Sequence, residues 1–215
     1  MLKYEEKLHF DAHYRALQKM GGALRHGGWY RAGALAAAAV CYTPLYFAAK
    51  YLLVLLSDQP LWRHAALLLW VGPVPFTVAD AVYFCVGLLL FCWGGARFGG
   101  AGSQRPGKEQ PAGGPKTLLT SGPYAKTRHP MYGAFILLQG GFLLSLCTRS
   151  GLLLALLVAA LQYFNAIWEE RHTLAPQFGA AYEAYRAQVP HLLFRPWQAA
   201  LLLLAALFSI AGFAV

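Results

Sequence analysis

The stretch "TSGPYAKTRHPMYGAFILLQGGFLLSLCTRSGLLLALLVAALQYFNAIWEE", Thr120 to Glu170, decides the fold. It opens polar and cationic, runs into two apolar segments, Met131 to Cys147 and Gly151 to Trp168, separated by "TRS", and closes on two carboxylates. A bilayer core of about 30 Å takes roughly 20 apolar residues per helix, so each segment is read as a span and the two together as a tight helical hairpin. Both polar ends of that hairpin then emerge on one face of the membrane, where their chemistry can converge.

Working outward, Ala32 to Leu56 and Asp80 to Phe98 supply earlier spans, and a last apolar run extends from Pro196 to the C-terminus. In the first of these, Pro44 and Lys50 interrupt the apolar pattern; either can face a bundle interior, and Lys50 can instead snorkel. The run "AALLLWVGPVPFTV" contains Pro73 and Pro75 and is short for a span; it reads as re-entrant or interfacial, or as a sixth crossing. The predicted fold class is therefore all-α: a polytopic integral membrane protein of five or six transmembrane helices. Composition agrees, because 58% hydrophobic and 13% charged residues would leave a soluble domain too little polar surface.

Five segments follow: an amphipathic N-terminal segment (1–31), N-terminal membrane helices (32–98), a Gly/Pro-rich basic loop (99–119), a core (120–195) and an additional C-terminal helix (196–215). The first places Phe10, Tyr14, Leu17 and Leu24 at helical spacing, as in an interfacial helix. Its "HFDAH", His9 to His13, is joined by no further ligand cluster, so no metal site is expected. Six Lys/Arg before residue 32 also argue against a signal peptide. The formal charge of +9 resides in segments between apolar runs, which fits membrane topology rather than nucleic-acid binding. Six Lys/Arg lie in 97–128, six in 1–31 and three in 169–195, against Arg149 alone in the hairpin turn and Arg63 alone after the first span. By the positive-inside rule the rich segments face the cytoplasm. The four cysteines, Cys41, Cys85, Cys92 and Cys147, lie in apolar runs without CxxC spacing and read as small buried hydrophobes.

Chemistry concentrates at the two ends of the hairpin. Pro130 suits a first-turn position, so the helix beginning there directs free N–H groups and a positive dipole end at the polar segment. At the other end, Glu169 and Glu170 are costly beside a membrane helix unless solvated or partnered. The following "FGAAYEAYRAQVP" is a short amphipathic helix with Phe178, Tyr182 and Tyr185 at i, i+4 and i+7. Carboxylates and aromatic faces together suit a cationic ligand. Lys126 reads as a topology determinant, and His172 and His191 carry no comparable pattern.

"GPYAKTRHPMYG", an apolar hairpin, "EE" and "FGAAYEAYRAQVP", in that order, resemble the integral-membrane methyltransferases of the isoprenylcysteine carboxyl methyltransferase and phospholipid methyltransferase superfamily. The resemblance covers roughly Ala81 to Pro190. It implies S-adenosylmethionine bound on the cytoplasmic side, in a pocket closed by the folded-back tail, with a lipophilic acceptor arriving from the bilayer of a bacterial inner membrane or endoplasmic reticulum. The acceptor classes are a prenylcysteine carboxylate, a phospholipid amine or a small thiol. His129, Pro130 and Tyr132 map onto the cofactor-contacting motif, and Glu169, Glu170, Tyr182, Tyr185 and Arg186 onto the opposite wall. Arg128 and Glu170 are the catalytic candidates, Arg128 as a fork for an acceptor carboxylate or phosphate. Seven residues separate Glu170 from Phe178, one more than the family pattern; either Pro176 absorbs the extra residue in a bend, or Glu170 alone keeps its place. Sterol reductases share similar C-terminal motifs, so an NADPH-dependent membrane reductase is the alternative, and a non-enzymatic membrane protein of the same fold is the third reading.

Overall fold

The computed structural model describes residues 29–102 and 117–212. The amphipathic N-terminal segment and most of the Gly/Pro-rich loop lie outside the described residues.

Five apolar helices and one short amphipathic helix make up most of the described chain. Helix α1 is Trp29–Leu55 and α2 is Val78–Gly102. Helix α3 is Pro130–Ser145, with one π-turn at Ile136–Gly140. Helix α4, Arg149–Phe178, runs 30 residues and contains a second π-turn at Glu170–Leu174. The amphipathic α5 is Ala180–Gln188, and α6 is Pro196–Ala211. Within α1, α2 and α4, the segments Leu35–Leu55, Val78–Ala101 and Arg149–Phe178 are long and apolar enough to cross a membrane, while α3 and α6 are shorter. At about 1.5 Å per residue the two shorter helices reach roughly 24 Å. Large apolar side chains point outward along α1, α2, α4 and α6, among them Val40, Leu89 and Leu204, whereas α3 is enclosed by its neighbours. That surface is what lipid, not water, would cover.

The run preceding α2 is not a helix. Strands β1 (Leu67–Val71) and β2 (Val74–Thr77) pair antiparallel, with Leu67 opposite Thr77 and Val71 opposite Val74. Gly72, at φ +59°, and Pro73 form the two-residue turn, a geometry that favours glycine at its first position. The all-α expectation is corrected accordingly, and the candidate sixth helix is removed. Apolar content alone does not distinguish a strand from a short helix. A two-stranded hairpin leaves edge N–H and C=O groups unpaired, which the hydrocarbon does not tolerate; the exposed Trp70 suits the head-group boundary.

Neighbouring helices run antiparallel. Tyr42 meets Phe91 edge-on while Tyr46 meets Phe84, which sets α1 against α2. Phe98 packs on Phe135 at one end of α2 and α3, and Tyr83 clusters with Leu144 at the other. The bundle therefore has two ends. At the hairpin end, Thr77 and Asp80 cap α2 reciprocally: Asp80 N–H donates to Thr77 Oγ1, and Asp80 Oδ2 accepts from Thr77 N–H and Oγ1. Asp80 Oδ1 also accepts from Lys50 Nζ, which donates in addition to the Leu146 carbonyl at 2.6 Å. Of the two interruptions in α1, Lys50 faces the interior and Pro44 faces outward. The cysteines divide as well: Cys92 and Cys147 are buried, but Cys41 and Cys85 are exposed, on outward faces where burial in protein is not needed to hide an apolar side chain from water.

Candidate functional site

The other end of the bundle collects both polar motifs. Twenty residues of α4 already cover about 30 Å, so Glu169 and Glu170 stand where the helix leaves the apolar layer. There the helix loosens into the π-turn, closed by an Ala175 N–H to Glu170 C=O bond. A π-turn holds one residue more than an α-turn. Pro176 sits in the first turn of the helix that resumes after the π-turn. Gly179 then reverses the chain into α5 at φ +50°, ψ −127°, a conformation that strains any side chain.

Beyond α5 the chain returns to the start of α3. Arg128 N–H donates to the His191 carbonyl and His129 N–H to the Leu192 carbonyl, each at 2.9 Å. The Arg128 side chain secures the same junction: Nε donates to Glu170 Oε1 at 2.6 Å, and Nη1 donates to the carbonyls of Val189 and Pro190 at 2.9 and 2.8 Å. Arg128 thus ties three elements together, the approach to α3, the end of α4 and the segment after α5. Two of its three nitrogens are committed within the protein, which removes most of the fork expected for an acceptor.

His129 lies between the two carboxylates, Nε2 3.2 Å from Glu170 Oε1 and Nδ1 3.4 Å from Glu169 Oε2. Both ring nitrogens face acceptors, and only the imidazolium donates from both. Burial alone lowers the imidazole pKa, but the hydrogen bonds and charges of Glu169 and Glu170 outweigh it, and the net shift is upward from the usual value. The two carboxylates have different surroundings: the Glu170 side chain is 10% exposed and Glu169 38%. Tyr132 packs its ring against His129 at 5.6 Å.

The second wall is α5. Tyr182 and Tyr185 are buried in a cluster with Val189. Tyr185 donates its hydroxyl to the Tyr124 carbonyl at 2.8 Å, and burial pushes its pKa up to about 12. The Tyr182 hydroxyl is buried beside the Glu170 carboxylate, near enough to interact with it but outside good hydrogen-bond geometry. Burial first, and the neighbouring Glu170 second, raise its pKa above the ordinary tyrosine range. Arg186 lies on the exposed face of α5, 3.8 Å from Glu183.

Between these walls is a cavity of about 520 Å³, within the roughly 300–1,000 Å³ common for small-molecule sites. Of the residues expected from sequence, Arg128, Glu170, Tyr182 and Arg186 line it. His129, Glu169, Tyr132 and Tyr185 do not line it, though His129 contacts the Glu170 carboxylate that does, and Pro130 borders a different cavity. Sequence reasoning missed Tyr163, Ile167 and Arg171 on α4 and the stretch 191–194. The signal for the first three was present, since Tyr163, Ile167 and Arg171 recur at i, i+4 and i+8, on the helical face that also carries Glu170. Residues 191–194 gave no such signal, because their place depends on pairing with Arg128 and His129. Among the described residues no group of three or more His, Cys, Asp or Glu side chains forms a metal site.

Residues 81–181, just under half of the chain, match the sequence model of the phospholipid methyltransferase family. The match spans nearly all of α2, then α3, α4 and the first two residues of α5; it includes Arg128 and Glu170 and ends before Tyr182, Arg186 and the stretch 190–194 that complete the cavity lining. It agrees with the resemblance carried by the sequence motifs, and it supports a membrane methyltransferase. No curated protein and no solved structure matches the chain.

Proposed function

We propose that this chain is an S-adenosylmethionine-dependent methyltransferase whose donor occupies the cavity between Arg128, Glu170 and Tyr182, and whose acceptor is lipophilic and reaches it from the bilayer. One observation carries the reading: two motifs separated by a whole helical hairpin meet through the Arg128–Glu170 contact beside a cavity of ligand size. The residues present fit a sulfonium amino acid bearing a nucleoside. Glu170 and the Tyr163 ring suit its cationic centres, Arg171 and Arg186 at the cavity lining suit its carboxylate, and the Tyr182 hydroxyl at the same lining offers a donor.

When bound, the donor supplies an electrophilic methyl group for in-line displacement. The protein's part is positional. Arg128 fixes the carboxylate of Glu170, and His129 holds the same oxygen from a second side, so that group is preset before a ligand arrives. The segment 189–194, fastened by Arg128, covers the cavity and limits water. Transfer to a neutral or anionic acceptor removes the sulfonium charge, which a low-dielectric site favours once remote contacts hold the donor. No side chain is assigned as base. The acceptor is a prenylcysteine carboxylate, a phospholipid amine or a small thiol.

The topology belongs to the same reading. Helices α1, α2, α3, α4 and α6 make five crossings, the cavity end bears the excess of Lys and Arg and faces the cytoplasm, and the β-hairpin lies at the opposite surface. The test is a calorimetric titration of the purified protein with S-adenosylhomocysteine, with NADPH in parallel. Saturable binding of the first alone is expected. Binding of NADPH alone would convert the cavity into a hydride-transfer site and end the methyltransferase reading.

A further inference from the structure

A second cavity, of about 540 Å³, lies where the last turns of α2 meet the start of α6. Its lining includes Arg97, Lys126 and Arg195, and none of the described residues lining it is acidic. In the first cavity Arg128 is matched by Glu170; here the cations are unmatched. Arg97 donates to the Gln198 side chain at 3.2 Å and to the Leu193 carbonyl at 2.8 Å, and its guanidinium lies 5.1 Å from the Phe194 ring centre. All three partners are neutral. Among the described residues Lys126 and Arg195 form no ion pair either, so three positive groups converge on one concavity without a counter-ion.

The apolar part of the lining fixes where this cavity stands. Trp93 of α2 and Trp197 of α6 lie nearly parallel, 12° apart, with ring centres separated by 6.1 Å. Below them the outward faces of α6 carry Leu201 and Leu204, so the indoles mark the boundary where tryptophan anchors a protein to head groups. A basic pocket between membrane helices at that level has the chemistry of a phosphate receptor. We propose that this cleft binds the phosphate of an anionic lipid head group, with Lys126, Arg195 and Arg97 facing the phosphate and the indole pair against the glycerol and upper acyl chain. The proposal does not depend on methyl transfer. It does connect the two cavities, because Arg97 holds the Leu193 carbonyl while Leu193 and Phe194 line the first cavity.

The test uses the full chain in a non-ionic detergent, titrated with dioctanoyl phosphatidic acid, with inorganic phosphate and with dioctanoyl glycerol, each followed by ligand-dependent quenching of tryptophan fluorescence. Saturable binding of the phosphatidic acid alone is expected. The double variant Lys126→Gln/Arg195→Gln removes two exposed cations that form no ion pair among the described residues. It is expected to bind the lipid roughly ten- to thirty-fold more weakly, with unchanged affinity for S-adenosylhomocysteine. Equal lipid affinity in wild type and double variant would overturn the proposal. So would equal binding of dioctanoyl glycerol, which would reduce the cleft to an apolar crevice. Inorganic phosphate binding as tightly as the lipid would overturn the lipid assignment and leave a site for the free anion.

Discussion

Among the described residues a buried pairing of a basic side chain with a carboxylate stands at each end of the bundle, Lys50 with Asp80 and Arg128 with Glu170, and the two differ in what surrounds them. Lys50 and Asp80 at the hairpin end close on themselves: Asp80 also accepts twice from Thr77, and Lys50 also donates to Leu146. Neither lines a described cavity. Arg128 and Glu170 at the opposite end border an open cavity and share His129. The comparison teaches that a charge inside a membrane protein is not by itself a sign of function. The space beside it separates an internal fastening from a ligand site.

The comparison is broken most directly by removing one carboxylate from each pair. Asp80→Ala strands the Lys50 ammonium and is expected to lower stability by about 3–5 kcal/mol, read by chemical unfolding in detergent, while affinity for S-adenosylhomocysteine in the folded protein stays unchanged. An equal loss of affinity in Asp80→Ala would erase the distinction between the two ends. Glu170→Gln keeps the volume and removes the charge. It is expected to weaken S-adenosylhomocysteine binding by roughly ten- to a hundred-fold, since a hydrogen bond to a charged group is worth about 1.5–3 kcal/mol. Wild-type affinity in that variant, measured by calorimetry, would remove Glu170 from the site.

Two smaller effects sharpen the picture of the functional end. Gly179→Ala forces a side chain into the turn between α4 and α5, at an expected cost of about 1–3 kcal/mol. Limited proteolysis should then cut at α5 before it cuts the bundle, and uniform destabilisation would argue that α5 does not open separately. For His129 the folded-state pKa is raised, so its contribution is fully present below about pH 6.5 and is lost as pH rises through the elevated value. Wild type should therefore lose stability relative to His129→Gln on the alkaline side of about pH 6.5. A pH-independent difference between the two would show that the imidazole is not held as a cation between Glu169 and Glu170.

Much of the helical bundle was legible from sequence because the terms that specify it are local. The "TRS" break places the α3–α4 hairpin, and Thr148 caps α4 by accepting from Gly151 N–H at 3.1 Å. Pro130 and Pro196 mark helix starts as first-turn prolines should. The hairpin of 67–77 was missed although the Gly72–Pro73 dipeptide announces a turn, since leucine-rich runs suit either element. Among site residues, the motifs located Arg128, Glu170 and Tyr182, yet gave no indication that Arg128 would spend its donors on Glu170 and the returning tail.

By itself the sequence determined where five apolar helices lie, the excess of cations in the segments between them and the resemblance to membrane methyltransferases, because hydrophobic length, proline position and charge act within a few residues along the chain; it left a sixth crossing open. Only the tertiary structure decided which of two adjacent glutamates enters the cavity and which cations stay unmatched around Arg97. One residue along a helix turns a side chain by about 100°, and the π-turn after Glu169 resets that angle. Contacts such as Arg128 to Glu170, 42 residues apart, exist only once both helices have been packed and their rotations fixed.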